Sequence, residues 1–396
     1  MKLSHRITHI NEGGSDGWEV FDRAKRMIAD GIAVTQLTIG EHDIRTDPTI
    51  LAAMNASATG GHTGYASVPG IPSLRDAVAA RLSERTGVPT RRENVLITPG
   101  GQAGLFMAHN AVCNPGDVAL FVDPYYATYP GTIRAAGAVA RPLRTHAKDA
   151  FLPQAQELEQ LAEGAVSLLI NSPNNPTGVV YGRETLEGIA GVCREQDLWL
   201  ISDEVYDTQV WKGDHISPRA LPGMAERTLV IGSMSKSHAM TGSRCGWIVG
   251  PEEAIAALAD LAVTTTYGVA GFVQDAALFA LNAGKEFEEQ IAAPFRRRRL
   301  LAQKVLGNQQ VVGLLPSDGA MYLMLDIRST GMSGEAFAHA LLEEEHIAVM
   351  PGESFGIAAA GHIRVAMTIA DAEFEQALKR LCDFAAAISG RESKRA

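Results

Sequence analysis

Nowhere in the 396 residues do about eighteen apolar positions run without interruption, so the sequence offers no membrane-spanning helix. Cysteine is scarce: Cys113, Cys193, Cys245 and Cys382 lie far apart among apolar neighbours and without CxxC spacing. That pattern excludes a disulfide framework or zinc ribbon and predicts reduced thiols in the core. No HExxH occurs and the eleven histidines show no ligand spacing, which excludes a zincin-type metal site; no metal is expected. Positive charge is in deficit, 35 Lys and Arg against 45 Asp and Glu. The resulting net charge of -10 argues against general nucleic-acid binding or a seat on anionic membranes. The opening MKLSHRITHI has no apolar core ahead of a small-residue cleavage site, so the expected location is cytoplasmic.

What is present is enough apolar residue, 46% of the chain, to bury a core spanning two domains or one large domain with a satellite. Short apolar runs at Val95 to Thr98, Val118 to Val122, Val166 to Ile170, Leu198 to Ser202, Leu229 to Gly232 and Trp247 to Val249 read as strands. Segments such as Gln102 to Val112 and Arg183 to Glu195 place apolar residues at helical spacing between them. The alternation predicts an α/β fold with a largely parallel, helix-covered sheet. After Gly284 a long polar helix, Lys285 to Leu306, carries Pro294, expected to kink it, and a basic run Arg296 to Arg299, expected to be a solvated face. Met321 to Asp326 and His362 to Met367 read as strands of a smaller C-terminal unit, and the closing RESKRA as a frayed end.

Chemistry gathers where strands end. Lys236, in SMSK, follows an apolar strand directly, at the edge of an open sheet where ligands bind. A desolvated lysine there can attack an aldehyde and form an imine; most lysines after a strand are merely solvated. Asp203 and Tyr206, in ISDEVY, end another buried run, where a carboxylate holds a pyridine nitrogen protonated or else caps a helix. SPNNPTG, residues 172 to 178, makes a rigid loop able to present the Asn175 amide, or a plain surface turn. TPGGQA, residues 98 to 103, opens a helix whose free amides suit a phosphate, and Arg244 adds a guanidinium to the same task. His238, two residues past Lys236, is read as a structural hydrogen-bonding residue.

In order along the chain, LTIGEHD, TGYASVPGIPSLR, TPGGQA, DPYYATYP, NSPNNPTG, SDEVY, SMSKSHAMTGSRCGW and HIRVAM resemble the class I/II aminotransferases of pyridoxal-phosphate fold type I. The resemblance implies a large domain, residues 46–284, with a mostly parallel seven-stranded sheet between helices. It also implies a smaller α+β domain from residues 1–45 and 285–396. It implies pyridoxal 5′-phosphate as cofactor, with Lys236 as its Schiff-base lysine and as general base and acid. Asp203 is then expected at the pyridine nitrogen, Asn175 and Tyr206 at the phenolic oxygen, and Tyr126 stacked on the ring. Gly101, Gln102, Ser233 and Arg244 are expected at the phosphate, with Tyr65 reaching it from a neighbouring subunit of a homodimer. Arg364, helped by Gly40, is expected to bind the substrate carboxylate.

The implied reaction moves the α-amino group of an L-amino acid to a 2-oxo acid by ping-pong kinetics. The stretches SKSHAMTGSRCGW, HISPRALPGMAERT, FVQDAAL and GESFGIAAAGHIRV are similar to arginine:pyruvate transaminases. Gln102 stands where one dicarboxylate-specific subgroup has a lysine, which weighs against aspartate. Glu12 and Asp16, preceding Trp18, are either carboxylates for a guanidinium substrate or solvated loop charges, and Tyr267 and Met321 are either pocket or core residues. An aspartate or aromatic aminotransferase, a pyridoxal-phosphate carbon-sulfur β-lyase and a non-catalytic cofactor sensor remain the other readings.

Overall fold

The computed structural model describes residues 1–11 and 18–392. Its strands are, in chain order, β1 (Thr35–Gln36), β2 (Val95–Thr98), β3 (Val118–Asp123), β4 (Val139–Arg144), β5 (Ala165–Asn171), β6 (Trp199–Asp203) and β7 (Thr228–Ser233). Then follow β8 (Gly246–Val249), β9 (Gly313–Leu314), β10 (Tyr322–Asp326), β11 (Ile347–Ala348), β12 (Met350–Pro351) and β13 (His362–Ala366). Seven of them form one sheet in the order β2-β8-β7-β6-β5-β3-β4, in which only β8 runs against its neighbours.

Period-two alternation places these strands between two helical layers. Leu96, Leu169, Ile201, Ile231 and Ile248 face one layer, with Leu105 of helix Gly101–Val112, Ile133 of helix Tyr129–Ala135 and Leu258 of helix Glu252–Thr264. Their neighbours Ile97, Val230 and Trp247 face the other, against Val78 of helix Pro72–Thr86 and Ala276 of helix Gly271–Asn282. Further along that face Leu168, Ile170 and Leu200 meet Leu158 and Ile189. The consequence for function lies at the carboxyl edge. Asn171 pairs in register with Asp203, and Asp203 with Ile231, so β5 and β6 deliver their last side chains side by side and β7 runs two residues further, to Ser233.

A second, antiparallel sheet runs β12-β13-β10-β9. Its core unites Val20 and Met27 of helix Trp18–Ala29 with Phe337 and Leu341 of helix Gly334–Glu345 and with Phe374 and Leu378 of the C-terminal helix Asp371–Glu392. β1 pairs in parallel with β11, Thr35 against Ile347, which stitches the N-terminal segment to this C-terminal unit. The three buried cysteines and the half-buried Cys113 are all free thiols.

The basic run departs from expectation. Helix Gly284–Leu306 continues through Pro294, and Arg298 on it is buried rather than solvated. Its guanidinium donates to both carboxylate oxygens of Asp43 at 2.9 and 2.6 Å, to Asp371 Oδ1 at 2.8 Å and to the Met367 carbonyl at 2.9 Å. Arg299 is also drawn in, to Asp318 at 2.9 Å, whereas Arg297 stays half exposed beside Asp371. One face of the helix lies against the segments after Gly40 and after β13, and only a paired guanidinium can be buried there.

Candidate active site

The carboxyl edge of the large sheet opens into a cavity of ≈ 310 Å³. Gly40, Gly101, Gln102, Tyr126, Asn175, Asp203, Tyr206, Ser233, Lys236, Arg244 and Arg364 all line it. Tyr65 does not: it is 90% exposed on the outer surface, with its ring 5.0 Å from that of Tyr267. Tyr267 is 53% exposed and does not line this chain's own cavity, while Met321 is core. Glu12 and Asp16 lie outside the described residues.

Asp203 ends β6 and is 4% exposed. Its Oδ2 accepts a hydrogen bond from the Tyr129 hydroxyl at 2.7 Å and its Oδ1 one from the Val205 amide at 3.3 Å. Burial outweighs these bonds and pushes its carboxyl up to about 6. Lys236 sits in the short helix Met234–Ser237 that β7 feeds directly, and Ser233 caps that helix by accepting from the Ser235 amide at 3.1 Å. The Lys236 ammonium reaches across to the Gly40 carbonyl. Gly40 cannot carry a side chain, because a Cβ there would fall on the Tyr322 hydroxyl.

The SPNNPTG loop is held by its own amides. Asn171 Oδ1 accepts from the Asn175 amide at 2.8 Å, and Asn174 Oδ1 accepts from Thr177 N and Oγ1 at 3.1 and 2.7 Å. The loop presents Asn175 Oδ1 to Arg364 Nη1 at 2.9 Å. Arg364 also donates to the Thr38 carbonyl, and its guanidinium lies between the rings of Tyr322 and Phe355, 4.4 Å from each centroid. Its buried Nε has no partner, and no carboxylate among the described residues pairs with it. The Tyr206 and Tyr322 hydroxyls meet at 3.0 Å, and burial raises the Tyr206 phenol well above its ordinary range.

Gly100 takes φ +80°, and a Cβ there would strike the Arg244 guanidinium. The close approach brings Arg244 to the start of helix Gly101–Val112, where unpaired amides favour negative charge. The Gln102 side chain turns away to Thr132 and Thr128, 3.0 Å to each, and leaves its main chain to the cavity. Burial holds the His238 imidazole down at about 3; its Nδ1 meets Ser237 Oγ at 2.7 Å, and it does not line the cavity.

Sequence reasoning missed Tyr129, Tyr322, Phe355, Ser235, Asn171 and Glu41, which also line the cavity. Tyr129 lies within the DPYYATYP string, but nothing local ties it to a carboxylate 74 residues away.

Residues 32–381 match the family of aminotransferases of class I and II. An arginine–pyruvate transaminase of Pseudomonas aeruginosa is 38% identical over 99% of this chain and 100% of its own. An aspartate/prephenate aminotransferase of Thermus thermophilus is 34% identical, over 90% of this chain and 92% of its own. Among solved structures, the aspartate aminotransferase of Thermus thermophilus with maleate superposes with a TM-score of 0.90 at 32% identity, covering 97% of this chain and 99% of the other. The chain belongs to the class I and II aminotransferases, and it is a transaminase of fold type I.

Proposed function

We propose that this aminotransferase works with pyridoxal 5′-phosphate and moves the amino group of arginine to pyruvate. The observation that carries the cofactor reading is the buried Asp203 carboxylate facing one cavity with the Lys236 amine. Asp203 fits a protonated ring nitrogen, because a carboxylate pushed up to about 6 by burial regains its charge beside a cation. Arg244, Ser233 and the amides of Gly101 and Gln102 fit the phosphate, Asn175 and Tyr206 the phenolic oxygen, and Tyr126 the ring face. When bound through Lys236, the cofactor supplies an electron sink for a carbanion.

The chain's own groups do the rest. Arg364, with an unpartnered Nε and an electron-rich ring on each side, binds the substrate carboxylate and sets the Cα–H bond. Gly40 helps with its backbone N–H, its carbonyl already accepting from Lys236. Lys236 Nζ is the group placed to take the Cα proton and to give it back, as base and then acid. Tyr322 and Phe355 hold the guanidinium out of water, which strengthens its hold on the carboxylate.

Lys236, Arg244 and Arg364 are the lysine and arginines lining the cavity among the described residues. With all three assigned, a distal substrate carboxylate finds no cation, whereas Glu41 at the opening suits a cationic end. The similarity to the Pseudomonas enzyme supports the same donor and acceptor. We further propose that residues 46–284 form the large domain, with 1–45 and 285–396 the small one, and that the chain acts as a homodimer. In that dimer the exposed Tyr65 serves the partner's phosphate site. No helix of the described residues is long and apolar enough to cross a membrane, in keeping with a cytoplasmic enzyme.

The test is a half-reaction screen: amino acids are added singly to the loaded protein and the cofactor absorbance is followed. Arginine is expected to give the fastest change. Silence with every amino acid would end the transamination reading, and a response to aspartate with none to arginine would replace the donor. Pyruvate and ammonia released from cystathionine without an acceptor would favour the β-lyase instead.

A further inference from the structure

Away from the active cavity, a second pocket of ≈ 480 Å³ opens between the end of β4 and the loop before β13. Arg144, Thr145, His146 and Lys148 form one wall, Arg328 and His362 another, and not one lining residue is acidic. In a chain carrying a net charge of -10, three permanent cations and two imidazoles around one pocket make a concentrated positive field. The positive charge is only partly spent on neighbours. Arg328 is held by both carboxylate oxygens of Asp326, but Lys148 reaches Asp149 only at 4.0 Å and His146 reaches Glu157 at 3.7 Å, the last two pairs well exposed. Arg144 has no ion pair among the described residues.

The frame is built rather than incidental. Thr145 donates its amide and hydroxyl to the Asp123 carbonyl at 2.9 and 2.7 Å, while the Asp123 carboxylate accepts from the Ala358 amide at 3.3 Å. Those bonds lock the two walls together from below. The stem of Arg328 packs where a Cβ on Gly361 would lie. His362 is 1% exposed, its Nδ1 donates to the Ala360 carbonyl at 3.0 Å, and its Nε2 has no partner among the described residues. A buried ring nitrogen without a partner is a polar group whose cost a ligand would remove.

We propose that this pocket binds a phosphate dianion, free or as a small phosphate monoester, at a site distinct from the active cavity. Arg144 supplies the fork and Lys148 a point charge, and the His146 and His362 rings line the rest of the seat. The site bridges the two sheets: Arg144 ends β4, and His362 opens the strand that carries Arg364.

The experiment uses the cofactor-loaded protein, so that the cofactor's own phosphate seat is filled, and titrates inorganic phosphate or glycerol 3-phosphate against calorimetric heat and melting temperature. Ionic strength is held constant with chloride. A saturable heat and a saturable rise in melting temperature are expected, and the double variant Arg144→Gln, Lys148→Gln should weaken binding at least tenfold. A tenfold preference for the monoester points to an organic phosphate, and equal affinity to the free ion. Both substituted side chains are exposed, so the variant should melt as the parent does without phosphate, and Lys379→Gln should bind as the parent does. No saturable response beyond chloride, or a double variant that binds like the parent, overturns the site.

Discussion

Asp203 keeps a carboxyl group where water does not reach it, and burial there disfavours its charged form. With the native group held up to about 6 against an ordinary 3.8, the cofactor-free fold keeps this proton between those values while the unfolded chain has lost it. Stability from this group is therefore full below about pH 4 and lost as pH rises through 6, to the extent of about 3 kcal/mol at pH 7. Asp203→Asn should accordingly stabilise the cofactor-free protein at pH 7 relative to pH 4 by about that amount, read from urea unfolding at both pH values. It should also weaken the cofactor's hold, and an unchanged pH dependence would refute the assignment. Gly100 makes a related point about space. Gly100→Ala puts a Cβ at positive φ and against Arg244, and is expected to cost about 1–3 kcal/mol of stability. Displacing that guanidinium should also weaken cofactor binding at least about tenfold, measured by absorbance titration.

At the scale of elements, strands whose two faces both pack were legible as apolar runs: β2 matches its expected span, and β3, β5, β6, β7, β8, β10 and β13 differ by a residue or so at an end. β4 was not. Its sequence VARPLR carries a proline and two arginines and lies at the sheet edge, where one side of the ladder needs no partner and burial imposes no pattern. The same holds for the two-residue strands, which are made by pairing rather than by propensity. The site divides similarly. Residues fixed by a strand end or a tight turn, such as Lys236, Asp203 and Asn175, could be read locally. Tyr129, Tyr322 and Phe355 earn their places from partners across the fold.

Helix Gly284–Leu306 shows the limit of reading charge as surface. Arg298→Met should lose about 3 kcal/mol by stranding Asp43 and Asp371, whereas Arg297→Ala, on the exposed side, should change stability by less than about 1 kcal/mol. Chemical denaturation of both variants distinguishes a buried clamp from a solvated stripe; equal losses would restore the latter.

For the whole molecule, the strongest expectation concerns two chains rather than one. If Tyr65 serves the partner's cavity, a Tyr65→Ala chain has its own lysine but spoils its neighbour's site, and a Lys236→Ala chain does the reverse. Mixing and refolding the two crippled proteins should then regenerate some hybrid sites with both groups intact, and transamination above that of either variant alone. Activity no greater than the sum of the separate variants would place Tyr65 outside the site. Sedimentation of the parent should give twice the chain mass of 42.2 kDa.

The pairing of Thr35 with Ile347 also sets an order of events during synthesis. The large sheet is complete in the chain by residue 249, long before β11 leaves the ribosome. Until then Leu37 and the apolar side of helix Trp18–Ala29 have no core to enter. The earliest part of the polypeptide to be made is thus among the last to be buried, and it is the interval in which a chaperone would find it.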